Sequence, residues 1–434
     1  MVKSLYLRKF CKIFRGAAII LLFLLDSYFG FSQNINDNIR FDRISSENIK
    51  LEKGLSQNSV RAILQDSKKF MWFGTWDGLN RFDGYNFIIY KPNTKQSSSC
   101  LSNETINSIF EDKDGFIWIG TEKGLNKFDR KSHKFTQYRK NTNAFYGISS
   151  DTVWTITEDT KGYIWVGTQS GLNRFDKKTE KFDVFLNIPF NNNSIVNNTI
   201  LSLCMDNNGY LLIGTLGGID KFDLANWKIK HYFSKEGEGN LSSDTILNIV
   251  KSKNGNIWIG TRNGLNYLNV KTGKFSVYKN KPKDKWSLSS NIVTTILEDS
   301  KGKIWVGTIG GGLNLFDQKS GRFTNFINQT NDESSLSNND ITSIYEDANG
   351  VIWVGTSRGV NKIDLNAAKF MHYYHYADDD NSLSNNMIWG IFVDSKEQIW
   401  ISTDDGINIF NPVSQKFSFI RNNKNNNNSL ASNT

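Results

Sequence analysis

Two sets of variable positions in this chain carry aromatic, basic and acidic side chains of the kind that recognise a ligand. One set follows a recurring Gly-Thr dipeptide, and the other lies near the start of the strand-like segment that precedes it. The candidate binding residues are Arg61, Trp76, Asp77, Glu122, Lys123, Trp154, Arg262, Arg358 and Trp389. Flat aromatic faces stack on sugar rings, and charged groups hold hydroxyls and carboxylates. The sequence therefore predicts binding of an oligosaccharide or another small ligand.

Trp76 and Trp154 are the strongest candidates in this set. A variable residue in a turn is usually no more than a solvated side chain, and that alternative applies to each of the nine positions taken singly. A Trp exposed in a turn or at a channel mouth, however, lacks an obvious packing reason. We therefore expect these two indoles to contact the ligand.

Catalytic chemistry and metal binding are less well supported by the residues. The histidines are His133, His231, His372 and His375. His372 and His375 precede three aspartates, but in a strand this spacing points the two rings apart. Asp77 and Glu122 could serve as a carboxylate pair for glycoside hydrolysis, although nothing distinguishes them from binding groups. We expect no catalytic residue, no metal site and no cofactor.

The elements that position these residues come from one repeated unit. Its clearest copies are residues 117–129 and 164–176, and the glycine before the threonine recurs in steps of 46 to 48 residues at Gly74, Gly120, Gly167, Gly214, Gly260, Gly307 and Gly355, with Ser402 in the eighth place. A period of this size, built from short strand-like runs, is typical of a blade repeated around an axis. The fold class predicted is all-β, a β-propeller of four-stranded antiparallel blades.

Positions that recur in every blade are predicted to be scaffold. The recurring Trp slot (Trp72, Trp118, Trp165, Trp258, Trp305, Trp353 and Trp400) should pack between blades. The Asn slot that includes Asn80 should bond a neighbouring glycine turn, and the Asp slot that includes Asp112 should form side-chain-to-backbone turns. One carboxylate per blade is too sparse for calcium.

The ends of the chain suggest how the ring closes. Residues 41–44 match the fourth strand of a blade but have no first three strands before them. If they join repeat seven, a seven-bladed ring closes, and residues 370–373 are left to clasp a second propeller. The predicted domains are a signal peptide (1–32), a seven-bladed propeller (33–375) and the first blade of a second, truncated propeller (376–434). A single eight-bladed ring is the alternative.

The N-terminal segment has the pattern of a secretory signal. Basic residues precede an apolar run at 17–25, and small residues lead to a cut after Ser32. That run is much shorter than the ~20 residues of a membrane-spanning helix. The formal net charge is +9, of which the signal carries +4. The remaining mild charge gives no basis for nucleic-acid binding, and we expect a periplasmic protein without a disulfide between Cys100 and Cys204.

The unit Ile-Trp-Ile-Gly-Thr-x-x-Gly-Leu-Asn-x-Phe-Asp, led by Leu-Ser-Ser-Asn and Glu-Asp-x-x-Gly, resembles the two-component regulator propeller repeat, and the resemblance covers residues 36–434. It implies the periplasmic sensor region of a hybrid two-component receptor for oligosaccharides. In that family a membrane helix and a kinase follow two propellers, and no residues here match them. The resemblance therefore implies a ligand-sensing fragment without enzyme activity, with a second copy as partner in the full receptor. An exported glycoside hydrolase or lyase and a protein-interaction scaffold are the alternatives.

Overall fold

The computed structural model describes residues 39–45, 54–93, 99–141, 147–206, 208–235, 237, 239–330, 332, 334–365, 373–376, 379–426 and 429–433. Within these ranges the chain forms 32 β-strands. No helix in the same ranges has the length and apolar character that crossing a membrane requires. The predicted signal peptide and most of the predicted strand at 370–373 lie outside the described residues.

The first four blades are regular four-stranded antiparallel sheets, each with its strands in chain order from the axis outward. Blade one is β2 (Val60–Gln65), β3 (Met71–Thr75), β4 (Gly78–Phe82) and β5 (Phe87–Tyr90). Blade two is β6 (Ile106–Glu111), β7 (Ile117–Thr121), β8 (Gly124–Asp129) and β9 (Lys134–Tyr138). Blade three is β10 (Val153–Glu158), β11 (Ile164–Thr168), β12 (Gly171–Asp176) and β13 (Lys181–Phe185). Blade four is β14 (Ile200–Met205), β15 (Tyr210–Thr215), β16 (Gly218–Asp223) and β17 (Lys228–Tyr232).

Blades five and six repeat this order, and blade seven takes its outer strand from the other end of the chain. Blade five is β18 (Ile246–Lys251), β19 (Ile257–Thr261), β20 (Gly264–Leu268) and β21 (Phe275–Tyr278). Blade six is β22 (Val293–Glu298), β23 (Ile304–Thr308), β24 (Leu313–Asp317) and β25 (Arg322–Phe326). Blade seven is β26 (Ile341–Glu346), β27 (Ile352–Thr356), β28 (Gly359–Ile363) and β1 (Asp42–Ile44).

The strand β1 clasps blade seven as the sequence predicts. It pairs antiparallel with β28, and Ile44 lies opposite Val360. Arg43 anchors the strand further, because its Nε donates to the carbonyl oxygen of Ser335 at 3.0 Å and its Nη2 to that of Asp332 at 2.9 Å. The N-terminal strand and the last blade of the ring are thus held together by backbone and side-chain hydrogen bonds.

Blade seven also packs directly against blade one, which closes the ring. Tyr345 donates from its hydroxyl to the carbonyl oxygen of Gln65 at 3.3 Å, and the rings of Phe73 and Trp353 are 5.7 Å apart. Seven sheets therefore surround one axis, as the seven-bladed prediction requires and the eight-bladed alternative does not.

The eighth sheet belongs to a second compact unit, residues 367–434. Its strands are β29 (Ile388–Val393), β30 (Ile399–Thr403), β31 (Gly406–Asn411) and β32 (Lys416–Ile420). The inner strand β29 is exposed along its whole length. Tyr373 packs on this blade, with its ring 4.7 Å from Phe410 and 5.7 Å from Phe417. That this unit begins a second propeller stays a prediction.

The recurring Trp packs between blades, as predicted. Trp118 is fully buried, and its ring stacks 5.9 Å from Tyr138 of its own blade and meets Phe175 of the next blade edge-on at 5.4 Å. Truncating a buried aromatic of this kind costs roughly 3–5 kcal/mol. The Trp slot therefore contributes to the stability of the ring rather than to a ligand platform.

The recurring Asp and Asn residues are also scaffold. The Oδ1 of Asp112 accepts from the backbone nitrogens of Asp114 and Phe116 at 3.0 and 2.9 Å, which confirms the predicted turn. Its Oδ2 accepts from Trp118 Nε1 at 2.8 Å, a bond that the sequence analysis did not foresee. Asn80 donates to Gly78 O in its turn at 3.3 Å and to Ser56 Oγ at 2.9 Å, so it also holds the incoming linker.

The recurring glycine allows neighbouring blades to approach closely. A Cβ at Gly120 would lie 2.7 Å from Cγ1 of Val153, the first residue of the next inner strand. The eighth blade has Ser402 in this slot and Gly390 opposite it on the inner strand. Blade two pairs Ser108 with Gly120 and the eighth blade pairs Gly390 with Ser402, so one residue of the pair is a glycine in each of these two blades.

Candidate functional site

The second variable slot coincides with a β-bulge in every inner strand. In blade two, the pairing of β6 with β7 skips from Ile106 to Ser108, so Asn107 is the unpaired residue. The same shift occurs at Arg61 in blade one and at Trp154 in blade three. A bulge re-aims its side chain out of the regular alternation of a strand. The slot is therefore variable because its side chain has no fixed place in the blade core.

Both variable slots open on the same end of each blade. Val60, which begins β2, lies opposite Thr75 at the end of β3, and Trp76 and Asp77 follow Thr75 directly. The bulge residue and the turn after Gly-Thr are consequently neighbours. This end of the ring is here called the mouth.

Five side chains from blades one to three meet at the mouth and form the Arg61 cluster: Arg61, Trp76, Asn107, Glu122 and Trp154. The guanidinium carbon of Arg61 lies 5.8 Å from the ring centroid of Trp76 and 5.8 Å from that of Trp154. Four of the predicted site residues are thus brought together around one guanidinium.

Polar contacts fix the orientation of this guanidinium. Arg61 Nη1 donates to Asn107 Oδ1 at 2.6 Å and lies 3.8 Å from Glu122 Oε1. Asn107 in turn donates from Nδ2 to the carbonyl oxygen of Val153 at 3.1 Å, and Trp154 Nε1 donates to Gln169 Oε1 at 3.1 Å. Successive blades are therefore linked by side chains from the bulge slot.

Partial burial and the neighbouring Glu122 act in opposite directions on the pKa of Arg61. Desolvation lowers the pKa of Arg61, and the Glu122 carboxylate acts in the opposite direction. An Arg side chain stays protonated in proteins at neutral pH. The mouth therefore presents one oriented cation between two aromatic faces, with a carboxylate at its side.

Trp76 is the most open member of the cluster. Its side chain is 54% exposed, although it follows a fully buried strand. The guanidinium carbon of Arg61 lies over its ring, and more than half of the side chain is open to solvent. Since sugar rings stack on indole faces and their hydroxyls bond to charged and amide groups, this arrangement can hold a saccharide unit.

The other predicted residues do not join the Arg61 cluster. Asp77 forms a salt bridge of 2.6 Å with Lys91, which follows the outer strand of blade one. Lys123 is exposed in the same turn as Glu122, and Arg262 and Arg358 are exposed in the corresponding turns of blades five and seven. The predicted carboxylate pair is also divided, because Asp77 faces Lys91 whereas Glu122 faces Arg61.

Trp389 lies in the second unit and repeats the contact of Trp154. Its indole is 71% exposed, and Nε1 donates to Asp404 Oδ1 at 2.5 Å. Trp389 is a bulge residue and Asp404 follows Thr403, so the two slots meet in this blade as well.

Sequence reasoning omitted two contributors to the mouth, Asn107 and Gln169. Both occupy the same two variable slots as the predicted residues. Both have amide side chains, whereas the predicted residues are aromatic or charged. Selecting every residue of the two variable slots, whatever its type, would have included both.

Neither metal binding nor a cysteine site emerges from the described part of the chain. No three His, Cys, Asp or Glu side chains there lie close enough to hold a metal ion. His375 Nδ1 lies 2.6 Å from the carbonyl oxygen of Leu383, and His372 is outside the described residues. Cys100 and Cys204 are both free thiols.

The repeated unit matches the model of a known protein family. The family model described as two component regulator propeller matches residues 54–77, 100–123, 147–170, 194–217, 240–263, 287–310, 335–358 and 382–405. Each matched segment begins in the linker before an inner strand and ends in the turn after Gly-Thr or its Ser402-Thr403 counterpart. The repeat therefore includes both variable slots of the mouth.

Three individual proteins are similar to this chain. The extracellular domain of BT3049 from B. thetaiotaomicron, described as a hybrid two component system, is 28% identical with a TM-score of 0.66, and the match covers 91% of this chain and 50% of that one. Histidine kinase P4 from Formosa agariphila is 54% identical over 46 residues, which are 11% of this chain and 3% of the kinase. Virginiamycin B lyase from Staphylococcus aureus is similar in fold alone, at 12% identity and a TM-score of 0.55, covering 76% of this chain and 100% of the lyase. The chain thus spans about half the length of the BT3049 domain and a small part of the kinase.

Proposed function

Because the chain belongs to the two-component regulator propeller repeat family, with one repeat in each of its eight blades, we propose that it is the ligand-sensing propeller region of a hybrid two-component receptor. The similarity to an extracellular domain of that receptor class supports this assignment. The signal pattern of residues 1–32 supports export, and the proposed location is the periplasm.

The proposed ligand is an oligosaccharide that binds at the mouth. The observation that carries this proposal is that the Arg61 guanidinium carbon lies 5.8 Å from the ring centroids of both Trp76 and Trp154. Stacking on the exposed face of Trp76 would bury its apolar surface, while Arg61, Asn107 and Glu122 offer donors and acceptors to hydroxyl groups. An acidic sugar would gain further from the oriented cation.

The region is proposed to bind its ligand rather than transform it. Asp77 and Glu122 are each engaged with a different cation, and the scaffold residues that recur are used for packing and turns. A second copy of the chain is the proposed partner in the full receptor. An exported hydrolase or lyase is the competing function, and chromatography of oligosaccharides after incubation with the protein distinguishes the two, because only an enzyme yields shorter products.

Calorimetric titration of the purified chain against a panel of neutral and acidic oligosaccharides tests the proposed site. We expect one ligand class to bind to the wild-type protein and to lose at least tenfold in affinity in Trp76→Ala and in Trp154→Ala. Loss of an aromatic side chain on which a nucleobase stacks costs about 1–3 kcal/mol, and we take the same range for a sugar ring. Trp286→Ala is the matched control, because Trp286 is 38% exposed and lies beside Arg322 at the start of the outer strand β25. Equal affinities for wild type and both mouth variants would refute the placement of the site.

A further inference from the structure

A pocket of about 440 Å³ lies on the outer part of the ring between blades four and five. Blade four lines it with Lys221, Lys228, Lys230 and Tyr232, and blade five with Leu268 and Val270. Asp223 and Lys228 mark the end of the blade opposite Thr215 and Gly218, so the pocket is on the far side from the mouth. Nothing in the proposed sensing site uses it.

The pocket lies at the one blade junction where two aromatic residues of the repeat are replaced together. Leu212 stands in the Trp slot of blade four, and Leu268 stands where blade three has Phe175. Between blades two and three, Trp118 fills the same space by contacting Tyr138 and Phe175. Leu212 packs in the same core cluster as Leu268 and Tyr232, and these two smaller aliphatic side chains fill less volume than the two aromatic ones; Leu268 and Tyr232 line the pocket.

The charges around the pocket are unusual for this fold. In blade three, Arg174 of the third strand faces Asp183 of the outer strand and forms a salt bridge of 2.5 Å. In blade four the same cross-strand pair is Lys221 and Lys230. Like charges directly opposite each other on a sheet are destabilising. A bound anion would relieve this repulsion.

The one carboxylate on the pocket wall is already engaged. Asp223 accepts from the backbone nitrogen of Ala225 at 2.9 Å and from Asn226 Nδ2 at 2.9 Å, and these bonds hold the pKa of Asp223 below its ordinary value. Lys221 lies with its Nζ 3.9 Å from the ring centroid of Tyr210. Among the described residues, the three lysines of the pocket form no salt bridge.

From this geometry we propose that the pocket between blades four and five binds a small organic anion. The negatively charged group lies between Lys221 and Lys230, whose Nζ is 5.0 Å from the ring centroid of Tyr232, and the apolar part of the molecule packs against Leu268 and Val270. The volume falls within the range of ~300–1,000 Å³ of small-molecule sites. The site is separate from the mouth and could operate whether or not the mouth binds a saccharide.

Calorimetry of the full chain with phenyl sulfate as the probe tests this proposal. Sodium sulfate and phenol are the two partial probes, and phenyl sulfate should bind at least tenfold more tightly than either. The affinity should fall as sodium chloride is raised, because salt screens the lysines. No binding of phenyl sulfate, or equal binding of sulfate and phenyl sulfate, would overturn the assignment of an organic anion.

Two kinds of variant locate the probe. Lys230→Thr introduces the residue that blade two has at this position, Thr136, and should weaken phenyl sulfate binding at least fivefold. Leu212→Trp restores the recurring indole, which should fill the pocket and abolish binding; Leu268→Phe serves the same purpose if Leu212→Trp does not fold. Lys134→Thr in blade two is the matched control and should bind as wild type does. Unchanged binding in Lys230→Thr and in the filled variants would refute the site.

Discussion

The bond between the recurring Asp and Trp can be tested by removing it from one blade and adding it to another. In blade six, Asp299 accepts from the backbone nitrogens of Lys301 and Lys303 at 3.0 and 2.8 Å and from Trp305 Nε1 at 2.9 Å. Asp299 is 1% exposed. Asp299→Ser removes the two carboxylate oxygens that accept these three bonds and leaves the buried indole N–H without a partner.

The magnitude follows from the cost of an unpaired buried donor. Leaving such a donor unsatisfied costs about 1–3 kcal/mol, and a bond to a charged acceptor contributes about 1.5–3 kcal/mol. The substitution also removes the desolvation cost of the buried carboxylate, which offsets part of this loss. We therefore expect Asp299→Ser to lower the free energy of unfolding by about 2–4 kcal/mol.

Blade five provides the reciprocal change, because it has Ser252 in the Asp slot. Ser252 Oγ and Trp258 Nε1 are both buried without a hydrogen-bond partner among the described residues. Ser252→Asp should place an acceptor beside the indole and raise the free energy of unfolding by about 1–2 kcal/mol.

Guanidinium and thermal unfolding, followed by Trp fluorescence and near-UV circular dichroism, measure both changes. Ligand binding at the mouth should be unaffected in either variant, since these residues are scaffold. If Ser252→Asp destabilised the protein as much as Asp299→Ser, a bond between Asp and Trp could not be the cause, and the reasoning would be refuted.

Three further changes test the ring closure, the blade contact and the buried charge. Phe41→Ala should lower stability by roughly 3–4 kcal/mol, because Phe41 is buried in the clasp; an unchanged melting temperature would show that β1 does not hold the ring closed. Gly307→Ala should cost about 1–3 kcal/mol, since a Cβ there would lie 2.6 Å from Ile341 Cγ2 of the next blade; chemical denaturation at or above wild-type stability would contradict this. Burial raises the pKa of Asp220 above its ordinary 3.8, although the hydrogen bond from His231 lowers it. Because the folded-state pKa is raised, the wild-type protein loses stability as the pH rises from 3.8 through the higher folded value. Asp220→Asn lacks this titration, so its melting temperature relative to wild type should increase across that window. A difference that shrinks with rising pH would contradict this.

Much of the fold could be predicted because its contacts are local and repeated. In blade two, the Asp that follows the first strand and the Trp of the second strand are six residues apart, and in blade one the Asn of the third strand bonds a linker residue 24 positions before it. Each blade satisfies these contacts by itself, so eight similar copies specify eight similar sheets. The variable slots emerged from the same comparison, since they are the positions that the blade does not need.

The candidate site could be predicted only in part, since it depends on how blades face each other. Trp76 and Trp154 were identified as candidates, but their placement on either side of Arg61 depends on two blade junctions and on bulges that turn the side chains. A strand with regular alternation fixes its side-chain directions in advance, whereas a bulged residue is directed by its neighbours in space. Asn107 is such a bulged residue, whereas Gln169 lies in the turn after Gly167-Thr168 and reaches the site through its bond with the bulged Trp154.

The sequence by itself determined the repeat, the four-stranded blade and the division into scaffold and variable positions, because each copy of the unit repeats the same contacts within its blade and the same packing against the next blade. Only the tertiary structure decided that Arg43 reaches Ser335 across 292 residues of chain, that one guanidinium lies between two indoles, and that two replaced aromatics leave a lysine-lined pocket. These features arise where separate blades meet. Their geometry depends on the volumes and charges of both partners, which no single copy of the repeat contains.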